Sequence, residues 1–176
     1  QIDVALFLND LAYCYIHTGR YAEAESLLNR SLEIREKNLG KSHLKLISSL
    51  ANLAFIYDST GRFAEAEAMH KRLLEILQKK NKEAPYPGVY DKDVLDCLKG
   101  LARSYYKSCR YDEAELLLNK ILTIYEQGSF APIVAADNLR SLAILYATTG
   151  RHEESHQTFL RSELFMEQMK NIVLEH

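Results

Sequence analysis

One unit occurs four times in this chain. The stretches LNDLAYCYIHTGRYAEAE (8–25), LANLAFIYDSTGRFAEAE (50–67), LKGLARSYYKSCRYDEAE (98–115) and LRSLAILYATTGRHEESH (139–156) align without a gap. An internal period constrains the fold more than any other sequence signal, because each copy must adopt one structure and meet its neighbours in one way. Leu8, Leu50, Leu98 and Leu139 share a column, followed by the pairs Leu11-Ala12, Leu53-Ala54, Leu101-Ala102 and Leu142-Ala143. Tyr15, Tyr57, Tyr105 and Tyr146 come next, then Gly19, Gly61, Cys109 and Gly150, then Arg20, Arg62, Arg110 and Arg151. The small column beyond holds Ala24, Ala66, Ala114 and Ser155.

Each column has a physical reason. Leu, Leu-Ala and Tyr at i, i+3, i+4 and i+7 put one apolar stripe on a first helix. Its alanine is small because a second helix must pass close beside it. The glycine ends the first helix with a residue that tolerates the left-handed conformation. Cys109 lacks that freedom, so a strained or slightly different turn is expected there. The second helix follows, its stripe continuing through Leu28, Leu32 and Leu73-Leu74-Ile76. Glu23, Glu65 and Glu113 recur near its start, where they complement the helix dipole. Each unit is then a helical hairpin that cannot bury its apolar face alone, and neighbouring copies must stack.

The pattern Leu-Gly/Ala…Tyr…Ala in four copies resembles the tetratricopeptide repeat family, and the resemblance covers nearly the whole chain. It implies an all-α fold, a right-handed α-solenoid of four stacked helix-turn-helix hairpins. The expected array is a single one over 1–173, with repeats at about 4–43, 44–80, 92–127 and 132–170 and a loop at 81–91. Successive Leu-Ala pairs stand 42, 48 and 41 residues apart, longer than the standard period of about 34. SLEIREKNLGKSHLKLISSLANLA (31–54) resembles the longer repeats of kinesin light chains, although Leu44 stands where that subtype usually has proline. KNKEAPYPGVYDKD (80–93), with two prolines and a glycine, reads as a connecting loop whose Tyr86 and Tyr90 are expected to pack back.

The resemblance also implies where a partner binds. First helices line the concave side, at positions three before and one or five after each small alanine. These are Asn9, Tyr13 and His17; Ala51, Phe55 and Ser59; Lys99, Arg103 and Lys107; and Arg140, Ile144 and Thr148. Some tetratricopeptide domains hold C-terminal carboxylates in a clamp of lysines, asparagines and arginine. Asn52, Lys99 and Arg103 fall on three matching positions, while Asn9 and Tyr13 stand where the clamp would place lysine and asparagine. The peptide-binding set expected here is Asn9, Tyr13, Asn52, Phe55, Lys99, Arg103, Lys107 and Arg140. Tyr13 and Phe55 offer apolar surface, and the cations suit an acidic peptide. Arg103 has a planar fork and no obvious local acid in the sequence. Asp96–Lys99 and Asp137–Arg140, by contrast, are i, i+3 pairs that can act as solvated surface bridges.

HEESH (152–156) fits the H-E-x-x-H pattern of zinc proteases. In the repeat, however, it is the fourth copy of YAEAE, FAEAE and YDEAE, with His152 in the aromatic column and His156 replacing a glutamate. A zinc hydrolase needs a third ligand and an open coordination position, and the spacing supplies neither. No Walker A loop, nucleophile elbow or dinucleotide fingerprint occurs. The chain is therefore read as a non-enzymatic module without cofactor or metal, with a hydrolase using His152, Glu153 and His156 as a remote alternative.

Composition limits the partners. A net charge of −2 offers no global attraction to nucleic acid or anionic membrane, and no 18-residue apolar run spans a bilayer. Cys14, Cys97 and Cys109 form no CxxC and read as buried, reduced thiols of a cytoplasmic protein. The first residue is Gln1, so the chain reads as a piece of a longer protein, and Leu174, Glu175 and His176 as the start of an appended tag. The leading functional reading is an interaction module that binds a linear, acidic segment of another protein. The alternative is a structural segment of a larger scaffold, self-associating through its ends. The run LFMEQMKNIV (164–173) favours that alternative, since a terminal unit should have a polar outer face.

Overall fold

At each corner between paired helices the chain reverses through one left-handed residue. Gly19, Gly61 and Gly150 have φ of 74°, 77° and 79°. The Gly19 N–H donates to the Ile16 carbonyl at 3.1 Å and the Arg20 N–H to that of Tyr15 at 2.9 Å, which satisfies carbonyls the helix end would otherwise leave open. Arg62, Arg110 and Arg151 donate in the same way to Tyr57, Tyr105 and Tyr146, at 2.8, 2.9 and 2.8 Å. Cys109 does not change the turn. It adopts the glycine conformation, at φ 60°, and carries the strain of a β-carbon there. Cys109→Gly is expected to raise stability by about 1 kcal/mol, read as a higher urea midpoint with an unchanged slope.

The computed structural model describes residues 2–82, 92–127 and 132–174, with side chains over 2–80, 92–125 and 135–167. Among the described residues the architecture is all-α. The order is α1 (Ile2–His17), α2 (Tyr21–Leu39), a 3-10 turn (Leu44–Leu46), α3 (Ile47–Ser59), α4 (Phe63–Lys82), α5 (Lys92–Lys107), α6 (Tyr111–Gln127), α7 (Pro132–Thr148) and α8 (His152–Leu174). Tyr86 and Tyr90 lie outside the described residues. His43 caps the 3-10 turn, its Nδ1 accepting from the Lys45 N–H at 3.1 Å, so the turn forms without the proline of the related subtype.

The chain divides into two compact units, 1–104 and 105–176, the division falling within α5. In the first, α1 pairs with α2, α3 with α4, and α2 lies against α3. Ala12, Ala24, Ala54 and Ala66 are wholly buried, as helices at close approach require, and Leu28, Leu46, Leu50, Leu53, Ile56 and Leu77 fill the space around them. Each such side chain contributes about 2 kcal/mol of burial. In the second unit α6 lies against α7 and α7 against α8, with Leu118, Ile121, Leu139, Leu142 and Leu145 buried.

Two expectations about burial need correction. Leu11 belongs to a column that is buried in the other three copies, yet it is 44% exposed. Cys14 and Cys109 are exposed as well. Only Cys97 is buried; burial pushes its thiol up to about 12, and its Sγ donates to the His70 carbonyl at 3.1 Å. Arg35 of α2 is buried as well. Its guanidinium donates to the carbonyl of Lys45 at 2.6 Å and to the hydroxyls of Ser48 and Ser49 at 2.9 and 3.1 Å, tying α2 to the start of α3.

Candidate functional site

The arginine column builds a clasp at every corner. Each guanidinium stacks on the tyrosine five residues before it, with centroid distances of 4.0, 4.3, 4.3 and 4.2 Å for Arg20, Arg62, Arg110 and Arg151. Each Nε also donates to the glutamate three residues on, Glu23, Glu65, Glu113 or Glu154, at 2.7–3.0 Å. These acids therefore do more than complement a helix dipole. Arg62 also donates to Glu25 of the preceding hairpin at 2.8 Å, and Arg151 to Glu115 at 2.6 Å. The recurrence of arginine was legible in the sequence, while its three-way role was not.

On the first-helix face of the first unit, Tyr13 is 54% exposed and Phe55 43% exposed, at equivalent positions of α1 and α3. Tyr13 meets His17 edge-on at 4.3 Å. Asn52 and Lys99 are half-buried. Arg103, next in the same column, is exposed but does have a local acid: its Nη2 lies 3.3 Å from Asp58 Oδ2. Asn9 is turned inward instead, buried, with its amide oxygen accepting from the Ser49 hydroxyl at 3.2 Å. In the second unit, Lys107 is exposed and Arg140 is half-buried, pairing with Glu163 at 2.9 Å and Asp137 at 3.9 Å.

A buried polar cluster in the first unit carried no periodic signal. Asp58 of α3 accepts from the Ser104 hydroxyl of α5 at 2.6 Å and lies 3.4 Å from His70 Nε2 of α4. Gly100 sits against the imidazole; a β-carbon there would stand 2.3 Å from His70 Cε1. Burial pushes the Asp58 carboxyl up, but hydrogen bonds from His70 and Ser104 and the Arg103 cation outweigh it and hold the group below its usual range. The trio is no Ser-His-Asp relay. Serine and histidine both bind the carboxylate, so no base faces the hydroxyl, and all three side chains are buried.

His152 and His156 lie exposed on α8 and line an open groove with α7. Among the described residues no three His, Cys, Asp or Glu side chains converge as metal ligands. Among them, too, no helix is long and apolar enough to cross a membrane.

Repeated helical hairpins with one clasp at every corner define a helical-repeat protein. Residues 3–79 match the family model of the tetratricopeptide repeat, so the first two hairpins belong to that family. No curated protein sequence matches the chain. Among solved structures it is similar to BtubC (BKLC) from P. vanneervenii, at 21% identity and a TM-score of 0.83 over 97% of this chain and 66% of that one. It is similar also to the nearly identical TPR-like repeats of Podosopora anserina named for kinesin light chain, at 22% identity and a TM-score of 0.79 over 94% and 76%. A Rap protein complexed with Competence and Sporulation Factor matches at 19% identity and a TM-score of 0.68 over 94% and 44%. At these identities the likeness establishes the fold alone, that of stacked tetratricopeptide-like hairpins. The chain spans just under two thirds of BtubC and less than half of the Rap protein.

Proposed function

We propose that the chain is a protein-interaction module that holds a linear, acidic peptide segment of a partner along the first-helix face of its hairpins. The fold supports an interaction or scaffold role, and the Rap neighbour's complex with a factor accords with it. The observation that carries the finer reading is the exposed row Tyr13, Phe55 and Arg103, one residue from each successive first helix of the first unit. Two aromatic faces there accept an apolar side chain, and the guanidinium beyond them accepts a carboxylate. Asp58 orients Arg103 without covering it, while Asn52 and Lys99 border the row. Asn9 serves packing, so the peptide's first contact is Tyr13. Lys107 and Arg140 supply the cations of the second unit. Such a peptide binds in the micromolar range, about −8 kcal/mol.

The test is a peptide-display selection on the chain and on a Lys99→Ser/Arg103→Gln variant. Glutamine is chosen because Arg103→Glu would set a second carboxylate beside buried Asp58. Acidic peptides should be enriched on the parent and lost on a variant that melts near the parent temperature. The best of them should weaken about tenfold with Phe55→Ala and weaken further as salt rises. Equal enrichment on both proteins, or salt-independent binding, overturns the reading.

A further inference from the structure

Asp58 faces outward to Arg103 as well as inward to His70. In the column of Arg103 the other copies carry Tyr13, Phe55 and Ile144, and in the column of Asp58 they carry Ile16, Tyr106 and Ala147. The only cation of the first column meets the only acid of the second. Arg103 Nη2 donates to Asp58 Oδ2 at 3.3 Å, and the guanidinium has no second acceptor among the described residues. Its side chain is 53% exposed, that of Asp58 only 2%. The arginine thus has one edge occupied from below and another open to solvent, with a carboxylate fixed behind it.

That carboxylate stays in place and stays charged. Ser104 donates to Oδ1 at 2.6 Å, and His70 Nε2 lies 3.4 Å from Oδ2. Burial alone would raise its pKa, but hydrogen bonds from His70 and Ser104 and the Arg103 cation hold it below the usual range. An anion on the open edge of the guanidinium stands roughly 6 Å from Asp58, well within reach of its repulsion. Lys99, half-buried and four residues earlier on α5, borders the row. Two cations against one buried carboxylate leave a single net positive charge. The attraction such a site offers grows in proportion to the charge of the anion. The cost of stripping water from the anion grows roughly as the square of that charge. A carboxylate carries one charge and matches the planar fork. A phosphate monoester carries nearly two, so it gains at most about twice the attraction for about four times the desolvation.

We propose that Asp58 determines specificity at the peptide site: from behind Arg103 it makes the site take a glutamate or aspartate side chain in preference to a phosphorylated residue. Resting on the peptide-binding reading, this narrows the partner to a segment whose acidity is encoded in its own sequence. Phosphorylation at the position facing Arg103 weakens the complex instead of creating it. Without Asp58, the same arginine and lysine would make an ordinary pair of phosphate ligands.

Fluorescence anisotropy tests it with the tightest acidic peptide of the display selection, synthesised with glutamate, glutamine or phosphoserine at the position that faces Arg103. That position is the one where glutamine in place of glutamate weakens binding to the parent but not to Arg103→Gln. On the parent, the glutamate peptide should bind at least about tenfold more tightly than the phosphoserine peptide. Asp58→Asn, which keeps an acceptor for Ser104, should bring the two within about threefold or reverse their order. Because that change also loosens a buried cluster, a second measurement uses the parent alone. Phosphoserine gains its second charge near pH 6, so its peptide should lose affinity relative to the glutamate peptide between about pH 5.5 and 7.5. The glutamate peptide meets the same protein histidines, His17 and His70 included, and so corrects for their titration. A phosphoserine peptide that binds the parent as tightly as the glutamate peptide overturns the proposal. So does a relative phosphoserine affinity that rises with pH, or a preference that persists in folded Asp58→Asn. If the parent binds no acidic peptide at all, the peptide-binding reading falls too; a bound peptide without the preference sinks the role of Asp58 alone.

Discussion

Asp58→Ala is expected to lower the unfolding free energy by about 3 kcal/mol, more than any surface substitution, because it strips buried groups of their common acceptor. The carboxylate joins three helices: Ser104 and Arg103 of α5 donate to it, and His70 of α4 reaches it from the other side. Ser104 keeps a fallback in the Gly100 carbonyl at 3.2 Å, and exposed Arg103 turns to water. Most of the loss therefore falls on the buried imidazole, whose Nδ1 has no hydrogen-bond partner. Thermal unfolding should drop by roughly 10 °C. The effect depends on pH with a definite sign. The folded-state pKa is depressed, so the charged carboxylate stabilises the fold above the ordinary aspartate value of about 3.9. That stabilisation disappears as pH falls through the lower folded value. Urea unfolding of the parent and of Asp58→Asn should accordingly differ at neutral pH and converge as the pH falls below the ordinary aspartate range. A constant difference across that range would mean the carboxylate acts through shape alone.

Gly100→Ala tests the same cluster from the opposite side, with an expected loss of about 2 kcal/mol. A helical glycine normally gains stability when replaced by alanine, by about 1 kcal/mol. Here the added methyl would sit 2.3 Å from His70 Cε1 and 2.8 Å from Nε2. The ring is buried and held towards Asp58, so it cannot swing aside without breaking that contact. Pairing the change with His70→Ala should reverse the sign. In that background the methyl fills part of the vacated space, and Gly100→Ala becomes neutral or stabilising. Additive losses in the double variant would show that the two positions do not meet as described.

What the sequence made legible was whatever recurs. Leu53-Ala54 and Leu142-Ala143 mark helix faces because a stacked hairpin needs one small and one large side chain there, and the need returns with each copy. The turns were legible for the same reason, down to the strain at Cys109. The Asp58 cluster was not. Its partners lie 12 and 46 residues away, and the equivalent positions in the other copies hold Ile16, Tyr106 and Ala147, so no pattern announces it. Arg103 had no acid within a helical turn, and only the packing of α5 on α3 supplies one. Asn9 was assigned to an outer face by its offset from Ala12, but Ser49 draws it inward. Leu11 shows the converse limit: the column foretells burial, and whether a neighbour supplies it is no property of the column. The apolar run at 164–173 begins on the surface of α8. Leu164 is exposed and Phe165 half-buried, while Met169, Ile172 and Val173 lie outside the described side chains.

The shared arginine clasp has a consequence for how the first unit comes apart. Arg62 stacks on its own tyrosine, holds its own glutamate and reaches back to Glu25, so one side chain reports on two hairpins at once. Unravelling α3–α4 would release Glu25, whereas fraying α1 leaves Arg62 and all its partners in place. Amide exchange should therefore be graded: fastest in α1, slower in α2, and slowest in α3, where the clasp is doubly tethered. Local openings then spread inward from α1 and stop at Arg62.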